Sequence, residues 1–434
     1  MNSDRTTRED PFGDLAALKL TAVVKGIPPH ASPIALGEIG RQGWNLLAGD
    51  LVFPVAILRQ SALTNNSRWM RSFIESNGLF ISPHGKTTMA PQLFRLQMQD
   101  GAWGITVATI QQLAVCRQFG FDRMMLANEP IGRAEIDYLF AELGRSPNLD
   151  LYCLIDSLTG VERLADAGRR AGTLTRLQVL LEVGVVGGRA GCRTLEQALD
   201  VARATKQFGL TLRGIEGFEG ILTRVEDVDT FLDFLCEAAN ACAREQLFAR
   251  GQPVILSAGG SVFYDRVAAR LAKTELGADF RIITRSGCYL THDSVLYERE
   301  YRAMRSRVES GVLPSGDPDA ALMVWTHVQS RPEADRAIVA MGRRDVSYDV
   351  GMPVPLLWHR SGEHVAPQSI PAGHAVIALN DQHCYVGCPN GSPLAVGDLI
   401  GFGISHPCTT FDKWRVLFVV DDRFNIIDAV GTLF

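Results

Sequence analysis

The chain of 434 residues lacks any uninterrupted apolar run near the roughly 18 residues that a membrane-spanning helix requires. Its start, Met1-Asn2-Ser3-Asp4-Arg5, is polar and leads into no apolar segment, so no secretory leader is expected. It also lacks a basic surplus. The net charge is −5, and no basic tract interleaved with aromatics occurs, which argues against a nucleic-acid partner and for a small-molecule one. No internal repeat or low-complexity tract is present. The nine cysteines are odd in number and scattered through apolar segments. They read as reduced, mostly buried thiols of a cytoplasmic protein rather than as a disulfide framework. Hydrophobic residues make up 46% and charged residues 21%, the balance of an ordinary globular enzyme large enough for two domains.

From about residue 51, apolar strand-like runs alternate with helical patterns. The runs are Phe53–Leu58, Leu79–Ser82, Gly104–Val107, Met124–Ala127, Leu151–Ile155, Leu177–Val183, Leu212–Glu216 and Val254–Ser257. Eight such pairs with near-continuous apolar strands predict an α/β fold, a (β/α)8 barrel of parallel strands. After Ile282-Ile283 the pattern becomes short alternating segments separated by Gly and Pro, which predicts an all-β domain. The expected division is an N-terminal segment over 1–50 packing on the β-domain, a barrel over 51–285 and the β-domain over 286–434.

A barrel places its chemistry at the C-terminal ends of its strands. Filtering the chain for residues just after strands returns Ser82-Pro83-His84-Gly85-Lys86-Thr87-Thr88, Asn128-Glu129, Gly187-Gly188-Arg189, Glu216 to Gly220 and Ser257-Ala258-Gly259-Gly260-Ser261. Lys86, on a Pro/Gly-shaped turn beside His84, is placed for partial desolvation, which frees a neutral amine for carbonyl chemistry. Glycines after the last strand leave backbone N–H groups bare at a helix start, an anion cradle or a plain turn. A cradle plus a cleft lysine suggests pyridoxal phosphate. Gly287 and Tyr289, in Arg285-Ser286-Gly287-Cys288-Tyr289, could approach the phosphate. Far downstream, His406-Pro407-Cys408, read on an extended strand, sets an imidazole and a thiol about 6.5–7 Å apart along one face. That pair suits one Zn²⁺ and leaves positions for water or substrate. As an isolated motif it more often describes a buried cysteine beside an incidental histidine. His383, in Asn380-Asp381-Gln382-His383, is read as sharing the cleft, whereas His359, His364 and His374 read as surface.

Taken together, these residues resemble the fold-type III pyridoxal-phosphate enzymes, in the branch of D-serine dehydratase, D-threo-3-hydroxyaspartate dehydratase and D-threonine aldolase. Pro83-His84-X-Lys86-Thr87, Asn128-Glu129, Gly188-Arg189-Ala190-Gly191, Ser257-X-Gly259-Gly260, Gly287-X-Tyr289 and His406-X-Cys408 fall in that branch's order. The resemblance implies that Lys86 carries the cofactor, with His84 a further catalytic candidate. It implies that Arg189, Ser257, Gly259, Gly260, Gly287 and Tyr289 hold the cofactor and that His406 and Cys408 bind Zn²⁺. Asn128 and His383 are the substrate candidates, and a homodimer is expected. His-X-Cys points to a carbon–oxygen lyase, a dehydratase of D-serine or D-threonine type. The alternatives are aldolase cleavage and a racemase-like protein. Two departures bear on substrate: Phe218 stands where the branch often has tyrosine, and Gly184 where it often has an acid.

Overall fold

The computed structural model describes residues 10–308 and 312–434. Eight parallel strands curl into a barrel: Phe80–Ile81, Ile105–Val107, Arg123–Leu126, Asp150–Ile155, Gln178–Val183, Thr211–Gly217, Val254–Ser257 and Phe280–Thr284. Phe280–Thr284 returns to pair with Phe80–Ile81, Thr284 opposite Ile81. The remaining seam, between Phe80–Ile81 and Ile105–Val107, is closed by a parallel bridge of His84 to Thr106. It is reinforced by Trp103 N donating to Ile81 O at 2.7 Å and Thr106 N to Pro83 O at 2.9 Å. The strands are buried almost throughout because both faces are covered, which is why they lack the alternation of a half-exposed sheet. Inside the barrel, Trp103, Met125, Tyr152, Leu154, Leu180 and Ile283 fill the lumen. Outside it the helices bury one stripe each. Leu158–Ala171 presents Val161, Leu164 and Ala165 inward, is capped by Ser157 accepting from Gly160 N, and ends at Gly172 with φ 70°.

The sequence expectation fails at the first strand. Val55–Arg59 is not in the barrel: it pairs antiparallel with Leu322–Glu333 and parallel with Val416–Val420. An apolar pentapeptide carries no mark of which sheet will bury it, so periodicity alone assigned it to the nearer one. The eighth barrel strand is instead Phe280–Thr284, and every barrel strand moves up one place in order. The expected barrel boundaries of 51–285 therefore include a strand of the other domain. The 17-residue helix Gln60–Ser76 follows that strand and leads to Phe80–Ile81.

The second body is antiparallel apart from the Val55–Arg59 and Val416–Val420 pair, with Leu322–Glu333 central between Val55–Arg59 and Leu399–Gly403, and with Val354–His359, Arg336–Val339, Cys384–Gly387 and Ala375–Leu379 extending the sheet. Residues 10–50 lie against it. Leu36, Ile39 and Leu46 share an apolar cluster with Phe418, Ile426 and Ala429, and Lys25 Nζ reaches Asp345 at 2.7 Å. No helix among the described residues is long and apolar enough to cross a membrane.

Candidate active site

A cavity of about 350 Å³ opens where the C-terminal ends of the barrel strands face the antiparallel domain. That is within the size of small-molecule sites. Lys86 enters it from the 3₁₀ turn Gly85–Thr87, directly after the first barrel strand and the closing bridge. The Lys86 side chain is exposed to this opening rather than desolvated, because the turn projects past the strand ends into the cavity. His84 sits behind it with a buried, unpaired Nδ1. Its pKa is held well below the usual imidazole value by burial first, then by the charges of Lys86, Arg285 and Arg189. Gly287 is pressed against this turn. A Cβ there would stand 2.5 Å from His84 O, so only glycine lets the loop after the barrel close over the lysine.

The wall beside this turn is ionic. Arg285, 4% exposed, pairs with Glu216 and also donates to Gly217 O at 3.0 Å and Ser257 Oγ at 3.2 Å. Arg189 lies 4.4 Å over the Phe218 ring, so the substitution of phenylalanine for tyrosine keeps the stacking surface and loses only the hydroxyl. The missing acid at 184 also has a cause. A Cβ on Gly184 would meet Ala190 O at 2.2 Å, leaving no room for a side chain.

Four assigned residues do not line the cavity. The glycine cradle is already filled by a protein carboxylate: Glu219 accepts from Gly259 N and Gly260 N, both at 2.9 Å. The expectation of two bare N–H groups fails because the chain supplies its own anion; Gly260 reaches the cavity and Gly259 does not. Ser257 is fully buried, donating to Ile283 O at 3.1 Å. Tyr289 turns its hydroxyl to Gln97, away from the opening. His383 is exposed on the hairpin between Ala375–Leu379 and Cys384–Gly387, a turn that does not face the cleft. His359, expected at the surface, is buried. Asn128 does reach the cavity, with Nδ2 donating to Ala108 O at 3.2 Å.

His406 and Cys408 line the cavity from the antiparallel domain. They are not on a strand. His406 follows Leu399–Gly403 in a bend and Cys408 opens the short helix Cys408–Phe411, so a turn rather than a pleat brings them together. Asp349 accepts from His406 Nδ1 at 2.7 Å and from Thr409 Oγ1 at 2.9 Å, which leaves Nε2 as the nitrogen available to a metal once its proton is lost. Burial lowers the imidazole's pKa, but the Cys408 sulfur and the Asp349 carboxylate outweigh it and hold it at about 9. The Cys408 thiol falls well below its ordinary value, chiefly through its contact with Cys288 and then, against burial, through His406 and Thr87.

Two family models match: one described as the alanine racemase N-terminal domain over residues 58–263, the other as a putative serine dehydratase domain over 321–420. The chain belongs to the fold-type III pyridoxal-phosphate enzymes. Among curated relatives, it is 24% identical to a D-threonine aldolase of Arthrobacter sp. over 92% of this chain and 95% of that one. It is 25% identical to a 3-hydroxy-D-aspartate aldolase of Paracoccus denitrificans (strain Pd 1222), over 70% of this chain and 75% of the relative. It is 26% identical to a D-threo-3-hydroxyaspartate dehydratase of Delftia sp. (strain HT23), over 56% and 62%. The solved D-threonine aldolase of Filomicrobium marinum shares the fold with a TM-score of 0.73 at 21% identity, covering 90% of this chain and 96% of that one.

The residues suit the fold-type III cofactor. An exposed amine, a guanidinium stacked on an aromatic ring, and two unpaired buried polar atoms, His84 Nδ1 and Glu216 Oε2, converge on one cavity. Buried polar atoms without partners imply a polar ligand. A metal is accommodated by fewer groups. Among the described residues no three His, Cys, Asp or Glu side chains are gathered as a cage, but His406 and Cys408 form a nitrogen–sulfur pair of the kind zinc prefers.

Sequence reasoning gave no role to Glu182, Glu216, Arg285, Cys288, Tyr297 or Asp349. For the first three a signal existed: a charge interrupting or ending a buried strand, as in Leu180-Leu181-Glu182-Val183. Burial first, then the charge of Glu216 and the hydrogen bond with Glu129, lift the Glu182 carboxyl to about 10. A folded value above the unfolded one contributes stability that is complete below about pH 4.5 and is lost as pH rises towards 10. Glu182→Gln removes that loss. Its melting temperature relative to the parent should therefore climb steadily when both are compared at about pH 5, 7 and 9. A pH-independent difference would show that Glu182 is not held protonated.

Proposed function

We propose that this chain is a pyridoxal-phosphate- and zinc-dependent dehydratase of small D-β-hydroxy amino acids such as D-serine or D-threonine, releasing a 2-oxo acid and ammonia. The observation that carries the reading is the placement of His406 and Cys408, braced by Asp349, on the same cavity as Lys86. Lys86 would hold the cofactor covalently, with Arg189, Gly260, Ser261 and Gly287 around it. When bound, pyridoxal phosphate supplies an electron sink for negative charge at Cα. His406 and Cys408 would hold zinc, whose Lewis acidity makes a β-hydroxyl a better leaving group.

The chain's own groups do the rest. The Lys86 amine is the mobile base at the cavity and takes the Cα proton. Asn128, just after the third barrel strand and on the same cavity, is placed to orient the substrate. His84, kept neutral by its surroundings, accepts or donates a hydrogen bond without adding charge. Asp349 holds His406 through Nδ1, which leaves Nε2 for a metal once its proton is lost. The antiparallel domain closes one side of the cavity with His406 and Cys408. The nine cysteines are all free, in keeping with a reducing, cytoplasmic setting.

A relative matched over 95% of its length is a D-threonine aldolase, and that observation favours a second reading in which Cα–Cβ breaks instead. Incubating the protein with D-serine, D-threonine and their L-isomers separates the two. The dehydratase gives 2-oxo acid and ammonia in equal amounts from D-substrates. Glycine and an aldehyde as the products would replace the first reading with the second.

A further inference from the structure

A second sulfur stands beside the proposed metal pair and has no part in the reading above. Cys288 lies on the loop that follows the last barrel strand, Cys408 on the short helix of the antiparallel domain, and their sulfurs are 3.6 Å apart. The Thr87 hydroxyl, next to Lys86, touches both, at 3.6 Å from Cys288 and 3.5 Å from Cys408. Both thiols line the cavity. Cys288 is 4% exposed, so it is presented to the cavity rather than to bulk solvent.

The separation is informative. Two sulfurs each about 2.3 Å from one tetrahedral zinc stand about 3.8 Å apart, the edge of the tetrahedron. A disulfide would need about 2.05 Å. The pair therefore stands at the spacing that a shared ion requires, on two domains whose relative position this contact helps to fix. We propose that Cys288 is a third protein ligand of the metal, giving a Cys288–Cys408–His406 set with its fourth position open to the substrate's β-hydroxyl.

This inference rests on the metal dependence proposed above. Three protein ligands with one open position is the arrangement of catalytic zinc. The three side chains are not gathered around one point without the ion. Asp349 holds the imidazole at Nδ1 while the two sulfurs stay in contact. Binding would bring them together as the Cys288 S–H bond gives way to an S–Zn bond and the proton leaves to solvent. The same 3.6 Å also suits a plain S–H···S contact, which would leave zinc with one sulfur.

X-ray absorption at the zinc edge of the reduced, zinc-loaded holoenzyme counts the sulfurs directly and needs no variant. Two sulfurs at about 2.3 Å are expected. Cys288→Ser should show one, and zinc should bind it about 100-fold more weakly in competition with a chelator, at least the loss seen when an outer partner of a ligand is removed. Cys288→Ala, with its cofactor absorbance and circular dichroism recorded, repeats the comparison should the serine variant misfold. Stoichiometric zinc with a single sulfur in the parent overturns the role of Cys288 and leaves the metal-dependent function standing. No stoichiometric zinc at all overturns both.

Discussion

Lys86→Ala is expected to leave a folded protein with no visible cofactor band and with turnover lowered by about 10³-fold or more. A positioned general base alone is worth about 10²–10⁴, and the covalent attachment is lost with it. Among the described residues, Lys86 is the lysine that lines the cavity, so no neighbouring amine stands ready to replace it. Its side chain is exposed and on a turn, so the substitution removes little packing and should shift stability by about 0.5 kcal/mol or less. Visible absorption and a thermal melt of the same sample separate the two effects. A band that survives in the alanine variant would mean that the cofactor is held elsewhere, and the central assignment would fall.

Metal removal should produce the complementary pattern. Chelation, or His406→Ala, is expected to depress elimination by about 10³-fold while leaving the visible band in place. The two halves of the site stand on different bodies: Lys86 on the barrel, His406 and Cys408 on the antiparallel domain. Hydroxide is a poor leaving group, and Lewis-acid assistance supplies several kcal/mol, of which about 4 kcal/mol corresponds to 10³ in rate. Ammonia release and the absorption spectrum, followed through chelation and zinc return, test this together. Full activity in chelator would take His406 and Cys408 out of the reaction.

How far each feature could be read in advance follows from the range over which its cause acts. Lys86 was legible because Pro83, Gly85 and the apolar run before them shape a turn within a few residues. The His406-Pro407-Cys408 pair was legible as a donor pair, although the helical turn at Pro407, not a strand, brings it to bear. Val55–Arg59 was misplaced because a short apolar run reports that it will be buried and not by which sheet. The glycine cradle was half right. Its N–H groups do bind an anion, but one contributed from forty residues away by Glu219.

By itself the sequence determined the parallel barrel, the β-domain that follows it, the lysine turn and a nitrogen–sulfur pair near the C-terminus, since periodicity and turn chemistry are local. Only the tertiary structure decided which groups meet. It sealed the barrel at His84 and Thr106, turned Asp349 onto His406, and set Cys288 against Cys408 from 120 residues away. Those contacts depend on how two bodies pack, and no spacing along one chain encodes a distance between side chains that only folding brings together.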